Sequence, residues 1–309
     1  MMNTPPTRIK TISQYHQAMG LPKPEHPLIS VINFNSFIQK PFNEPVSFIY
    51  DFYAIYLKRV SDARFQYGHQ ASDFDEGVLF FMAPNQLFSV MSRKGETLKP
   101  TGWIILIHPD FIWNTTLAKI IKQYEFFNYS INEALYLSLK EEKKIVSIIK
   151  SIQQEYQFNI DKFSQQIIIS QVETLLNFSE RFYHRQFITR KKTNHQILNR
   201  LEDTLAKYFN NDNLIKKGLP TVRFIADALN ISPNYLSDVL KVLTGQTTQQ
   251  HIHGKLLEKA KEKLSNPDLS ISEIAYGLGF EHPQSFTKLF KAKTDLTPLQ
   301  FRNSFNTLS

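Results

Sequence analysis

An internal repeat near the C-terminal end constrains this chain more than any other feature. "FIADALNISPNYLSDVLKVLTGQT" lies over "EIAYGLGFEHPQSFTKLFKAKTDLT" with one residue inserted in the second copy. Ile225-Ala226 matches Ile274-Ala275, Leu229 matches Leu278, Pro233 matches Pro283, Leu236 matches Phe286 and Leu240 matches Phe290. The spacing predicts, in each copy, a short helix, a tight turn and a second helix opened by proline, which suits the first helical position. Small Ala226 and Ala275 let two helices cross closely, as a helix-turn-helix demands. Ser232 can cap the second helix of the first copy, and Ser270 with Glu273 makes a capping box at the start of the second copy. Between the copies, "TTQQHIHGKLLEKAKEKL" carries Ile252, Leu256, Leu257, Ala260 and Leu264 on one stripe, so a single helix joins them and "NPDLS" ends it.

A lone pattern of this kind is weak, because many helical pairs resemble it. Two copies in register, joined by one helix of fixed length, form a far more specific signal. With the two outer helices about one DNA turn apart, roughly 34 Å, both enter the major groove on one side of a duplex. One chain then does what a dimer of single motifs does.

The remainder divides by its breakers. Ten of the fifteen prolines fall at or before Pro109, and no glycine lies between Gly102 and Gly218. Before Pro109, short runs such as "LISVINFNSF", "VSFIYDFYAIYL", "EGVLFFMAP", "LFSVMSR" and "GWIILIHP" are rich in β-branched and aromatic residues. Turn signals at Asp75 to Gly77 and Arg93 to Glu96 separate them, and the spacing suggests a small barrel or sandwich. The aromatics read as core rather than as a pocket. From Asp110 the period becomes helical. Leu135, Leu139, Ile145, Ile148, Ile149 and Ile152 mark one amphipathic helix; Phe163, Ile167, Val172, Leu175, Leu176, Phe178 and Phe182 mark another. Such stripes cover the barrel or meet a second subunit. "RFYHRQFITRKKTNHQILNR", residues 181 to 200, holds six Arg or Lys and no acid, with a linker expected around Ile188 to Asn194.

Composition narrows the chemistry. With 309 residues there is room for two domains and a connector, and a net charge of +8 suits an anionic partner without requiring one. There is no cysteine, which excludes disulfides, Cys-ligated zinc and thiol nucleophiles. No apolar run approaches a membrane span, and "MMNTPPTRIK" lacks the apolar region of a secretory signal, so a soluble cytoplasmic protein is expected. His16, His26, His69 and His108 are scattered, and no His-x-His occurs in the β region. His251 and His253 point apart on a helix, which makes them surface residues rather than ligands. Neither a Ser-His-Asp arrangement nor a phosphate-cradling glycine loop is present. No enzyme activity, cofactor or metal is expected.

Residues 219 to 304, and above all "ISEIAYGLGFEHPQSFTKLFKAKTDLTPLQFR", closely resemble the C-terminal signature of the AraC/XylS-type bacterial transcription regulators. The resemblance implies an α+β chain in three parts: a cupin-like sensing β barrel at 1–109, a helical segment for dimerisation and linkage at 110–190, and an all-α double helix-turn-helix domain at 196–309. It also implies a homodimer on double-stranded DNA, a small-molecule effector at the N-terminal domain, contact with RNA polymerase, and activation rather than repression. A regulator whose N-terminal domain only dimerises or holds a protein partner, and a cupin-type enzyme with a DNA-binding tail, are the alternatives. By the same resemblance Asn234, Ser237 and Asp238, and Gln284, Ser285, Thr287 and Lys288, face the bases. Ser232, Lys241, Lys291 and Thr297 are placed for phosphates. The sequence departs from the family where a basic residue often stands at Asp238, an Arg at Lys255 and a Gly at Asp295. Asp238 falls opposite Lys288 in the repeat. An acid there either accepts a hydrogen bond from cytosine or pairs with Lys241 one turn on.

Overall fold

The computed structural model describes residues 6–34, 46–59, 77–90, 101–157, 161–210 and 213–306. The turn signals at Asp75 and at Arg93 to Glu96, together with His69, lie outside them. The chain divides into two compact units, Met1–Gln186 and Phe187–Ser309.

The first unit opens with β1 (Thr7–Ile9) and α1 (Ile12–Ala18), the latter started by a Thr11–Gln14 capping box. The strands β2 (Ile29–Asn33), β3 (Val46–Tyr50), β4 (Tyr53–Arg59), β5 (Gly77–Met82), β6 (Leu87–Val90) and β7 (Thr101–Ile107) follow. Short helices α2 (Pro109–Ile112) and α3 (Thr116–Ile120) and a few 3₁₀ turns lead to β8 (Leu135–Leu137). The long helices α4 (Leu139–Gln157) and α5 (Ser164–Thr189) close the unit.

Two sheets result. One has the order β1-β3-β6, and the other, fully antiparallel, has the order β2-β7-β4-β5-β8. The run "VSFIYDFYAIYL" is therefore two strands in different sheets, broken at Asp51 and Phe52. Phe48, Tyr50 and Phe88 from the small sheet share one core with Tyr56, Phe80, Ile104 and Leu106 from the large one. Ile105 and Ile107 on the opposite face of β7 are equally buried, because helices and turns cover that face; Phe81 meets Phe126 and Tyr183 there. A strand covered on both sides reads as an unbroken apolar run, which is the pattern of "WIILI". On the outer edge of β2, the Tyr156 hydroxyl of α4 donates to the Val31 carbonyl at 3.2 Å and accepts from its N–H at 3.0 Å.

The inter-sheet core is aromatic. Tyr56 stacks on Phe80 at 4.5 Å and Tyr50 on Phe52 at 5.1 Å between ring centroids. Tyr15, Tyr50 and Tyr56 bring three hydroxyls into this interior. Burial raises the pKa of all three, Tyr50 to about 12, and neighbouring tyrosines add to the rise at Tyr15 and Tyr56. They remain neutral throughout the working range of a protein.

Three expectations for the helical segment change. Leu135 belongs to strand β8, paired with Leu79, rather than to the first long helix. The helix begins only at Leu139, after Ser138 accepts from Glu141 N–H while the Glu141 carboxylate takes the Ser138 N–H at 2.8 Å. A free strand edge at β5 outweighs the local helical period, because pairing satisfies its backbone groups. Phe163 and Ile167, expected in the buried stripe, are exposed, while Ile168, Ile169, Val172, Leu175 and Leu176 carry the burial. Finally, no loop separates the units where a linker is expected around Ile188 to Asn194. Only Arg190 stands between α5 and the helix α6 (Lys191–Asn210).

The second unit is helical. After α6 come α7 (Asn213–Lys217), α8 (Val222–Leu229), α9 (Pro233–Thr244), α10 (Thr248–Leu264), α11 (Ile271–Gly277), α12 (Pro283–Thr294) and α13 (Pro298–Asn306). Ile252, Leu256, Ala260 and Leu264 of α10 are fully buried, the stripe expected of the connecting helix. At 1.5 Å per residue α10 is roughly 25 Å long.

Candidate nucleic-acid interface

The repeat becomes two helix pairs with matching turn features. In the first, Thr221 caps α8 by accepting the Phe224 N–H at 3.1 Å, and Asn230 ends it in the left-handed region at φ 57°. The Ile231 N–H then donates back to the Ala226 carbonyl at 3.1 Å. In the second, the Ser270–Glu273 capping box starts α11, and Gly279 takes the left-handed position at φ +82°. The Phe280 N–H donates to the Ala275 carbonyl, again at 3.1 Å. The two matched alanines thus accept the same turn-closing bond. Ala226, Leu236, Leu240, Ala275, Phe286 and Phe290 are each fully buried, which locks each helix pair.

The outer helices match as closely. Pro233 and Pro283 open α9 and α12, and Ser232 accepts the Tyr235 N–H at 3.2 Å. At the far ends Gly245 (φ 72°) and Asp295 (φ 61°) both stand in the left-handed region. Each donates its N–H at 2.9 Å, to the carbonyls of Lys241 and Lys291 respectively. Asp295 holds the backbone expected of a glycine, which a short polar side chain tolerates. Thr247 and Thr297 each form a box with a glutamine three residues on, so the Thr297 hydroxyl caps α13.

On the outward face the copies differ. Gln284, Ser285, Lys288 and Lys291 are exposed, and Thr287 is half-buried with its hydroxyl donating to the Pro283 carbonyl at 3.1 Å. Asn234, Ser237 and Asp238 are half-buried, and Lys241 is exposed. The Asp238 carboxylate stands 3.9 Å from the Lys241 ammonium. Ser232 is buried beneath its own cap.

Other residues have settled local roles. His251 Nε2 meets the Thr244 hydroxyl at 2.9 Å, while His253 Nε2 lies 3.0 Å from the Gln249 side chain, so the two rings face different neighbours. Burial lowers both histidine pKa values. In the first unit His16, His26 and His108 each bond locally, to Pro22 and Ser30, to the Leu28 N–H, and to the Asp110 N–H. Within the basic run, Arg185 makes a two-pronged pair with Glu141 at 3.1 and 2.7 Å, and Arg200 donates to the Leu229 carbonyl at 2.9 Å. These two cations hold the protein together. Their partners are distant in sequence, so charge pattern alone could not separate them from phosphate contacts.

Two helix-turn-helix units on one connecting helix, each presenting a short outer helix, define the class: a double helix-turn-helix DNA-binding domain. A helix-turn-helix domain profile matches residues 225–304. Three relatives align over the same part of the chain. The HTH-type transcriptional regulator YijO of Escherichia coli is 32% identical over 82 residues, 26% of this chain and 29% of the relative. The transcriptional regulatory protein YesN of Bacillus subtilis is 38% identical over 78 residues, 25% of this chain and 21% of the relative. The xylose operon regulatory protein of Escherichia coli is 37% identical over 79 residues, 26% of this chain and 20% of the relative. The C-terminal unit is an AraC-type domain. The chain spans less than a third of the length of these relatives. Among the described residues no helix is long and apolar enough to cross a membrane.

Proposed function

We propose that this protein is a sequence-specific transcription regulator, an activator that binds double-stranded DNA as a homodimer and is gated by a small effector in its N-terminal unit. The observation that carries the DNA-binding part is the matched pair of turns, with the same bond to Ala226 and Ala275 and the same left-handed positions. Matched turns under different outward residues suit a domain with two half-site readers. In this reading Gln284, Ser285, Thr287 and Lys288 contact bases from α12, and Asn234, Ser237 and Asp238 from α9. Lys241, Lys291, Ser232 and Thr297 meet phosphates and fix the register.

The two facing sheets are read as a cupin-like barrel. The buried hydroxyls of Tyr15, Tyr50 and Tyr56 give its interior polar groups with which to orient a small molecule. The helical segment 110–190 supplies the dimer contact, and the activated complex touches RNA polymerase. A second reading, in which the N-terminal unit only dimerises or holds a protein partner, is favoured by the stacked rings that fill the same interior.

Selection of duplexes from a random pool by the full chain tests the DNA reading. Enrichment of a two-part motif is expected, and a pool that stays random contradicts it. Thermal melting with panels of small molecules separates the two readings of the N-terminal unit, since a ligand of the native state raises its melting temperature.

A further inference from the structure

Within the second unit the repeat runs one helix deeper than the two matched pairs. Ile197, Leu201, Leu205 and Phe209 of α6 are buried at the same spacing as Ile252, Leu256, Ala260 and Leu264 of α10. α6 stands before the first pair and packs on α8 and α9, as α10 stands before the second and packs on α11. In this register Arg200 falls on Lys255. The two cations are used differently. The Arg200 guanidinium donates to the Leu229 carbonyl at 2.9 Å, whereas the Lys255 ammonium bonds Glu258 of its own helix at 2.7 Å.

Leu229 is the last residue of α8, and Asn230 after it takes the left-handed turn position. A helix end leaves such carbonyls without a partner along the helix. Holding this one from α6 fixes where α8 stops and the angle at which the chain leaves for α9. A guanidinium suits the task, because it is always charged and its charge-assisted bonds are stronger than neutral ones. The second turn is held by backbone instead. The Leu214 carbonyl and the Gly218 Cα stand against the position a Cβ on Gly279 would take, and the Tyr208 hydroxyl of α6 donates to the Gly218 carbonyl at 3.0 Å. Both turns therefore lean on a segment outside the residues 225–304 of the matching profile.

We propose that Arg200 is a positioning residue for the first reading helix. It meets no DNA itself; through the Leu229 carbonyl it sets the pose from which Asn234, Ser237 and Asp238 reach the bases. The second copy takes its pose from the packing of α7 and does not depend on this side chain. This inference rests on the DNA-binding reading above.

The test uses the full chain and a duplex it selects. Lys288→Ala identifies the half-site read by α12. Arg200→Ala should weaken binding to the intact duplex about fivefold or more, with base preference relaxed in the α9 half-site alone. The loss should vanish when the α9 half-site is scrambled and survive when the α12 half-site is scrambled. Arg200→Lys, which keeps a donor for the carbonyl, should fall between. The slope of log K against log salt should stay at its wild-type value, whereas a lost phosphate contact would lower it by about 0.9 and leave base preference intact. Where Arg200→Ala melts early, Arg200→Lys decides by the same comparisons with the wild-type chain. Unchanged binding, equal loss at both half-sites, or a lowered salt slope with intact preference overturns the positioning role and leaves DNA binding standing. A wild-type chain that selects no duplex overturns both.

Discussion

At the scale of single residues, the proposed function divides the outward positions of α9 and α12 into those that read bases and those that hold phosphates. Lys288 and Gln284 are exposed and free to turn toward base edges. Replacing either with Ala should relax preference at one base pair by about 1 to 3 kcal/mol. Lys291→Ala should weaken every sequence alike and lower the slope of log K against log salt by about 0.9. Asp238 is the instructive case. Its pair with Lys241 is long at 3.9 Å, and an exposed pair of this spacing contributes only about 0.2–0.5 kcal/mol. On the proposed reading Lys241 turns to a phosphate and the carboxylate accepts from cytosine. Asp238→Ala should therefore change preference at one base pair, read by competition among duplexes that differ there.

His16 carries a prediction of another kind. Its Nδ1–H donates to the Pro22 carbonyl at 2.5 Å, and Nε2 accepts from the Ser30 hydroxyl at 2.9 Å, which fixes a neutral ring. Burial lowers its pKa from the ordinary 6.5. The unfolded chain then binds the proton more readily. The contribution of this group is complete above the unfolded pKa and is lost as pH falls through the lower folded value. The melting temperature of the chain should drop on acidification below pH ~6.5, and His16→Gln should flatten that drop. An unchanged acid limb in the variant would assign the effect to other groups.

At the scale of elements, each helix-turn-helix depends on its turn and on its buried pair of rings or aliphatics. Gly279 stands at φ +82°, and a Cβ there would come within 2.3 Å of the Leu214 carbonyl oxygen. Gly279→Ala should destabilise the C-terminal unit by about 1 to 3 kcal/mol or more, because both backbone strain and a main-chain clash oppose it. Asn230 holds the matching position in the first copy with ordinary strain, so Asn230→Gly should be nearly neutral. Phe290→Ala should remove about 3 to 5 kcal/mol, since that ring is fully buried between Phe286 and Phe301. Denaturant unfolding of the full chain, followed by circular dichroism, orders the three.

The elements legible in the sequence are those whose signals are local. Caps at Ser232 and Ser270, prolines at 233 and 283, and helical apolar spacing place α8 to α12 with little ambiguity. The β-rich texture before Pro109 likewise reports strands. Strand β8 is invisible in the same way, because Leu135 and Leu137 also suit a helix and only their partners on β5 decide. The split of "VSFIYDFYAIYL" between two sheets is a matter of pairing, not of composition. So too the contact between Phe187 and Tyr235 joins residues that no periodicity links. On the candidate interface, the repeat reveals which positions face outward. It does not reveal that Asn234 and Asp238 are half-buried where Gln284 and Lys288 are exposed.

At the scale of the whole molecule, one chain is proposed to read two half-sites, with α10 as the ruler between them. The most direct test sets the full chain against duplexes in which the two parts of its selected motif are moved apart. Readers fixed on one connecting helix should tolerate only the selected spacing, because five inserted base pairs put the half-sites on opposite faces of the duplex and ten carry one of them about a full turn, roughly 34 Å, further away. The predicted result is at least a tenfold loss on inserting five base pairs, together with protection of two successive major grooves by one chain in the original duplex. Equal affinity for all spacings, or protection of a single groove, would contradict the claim that both turns read DNA.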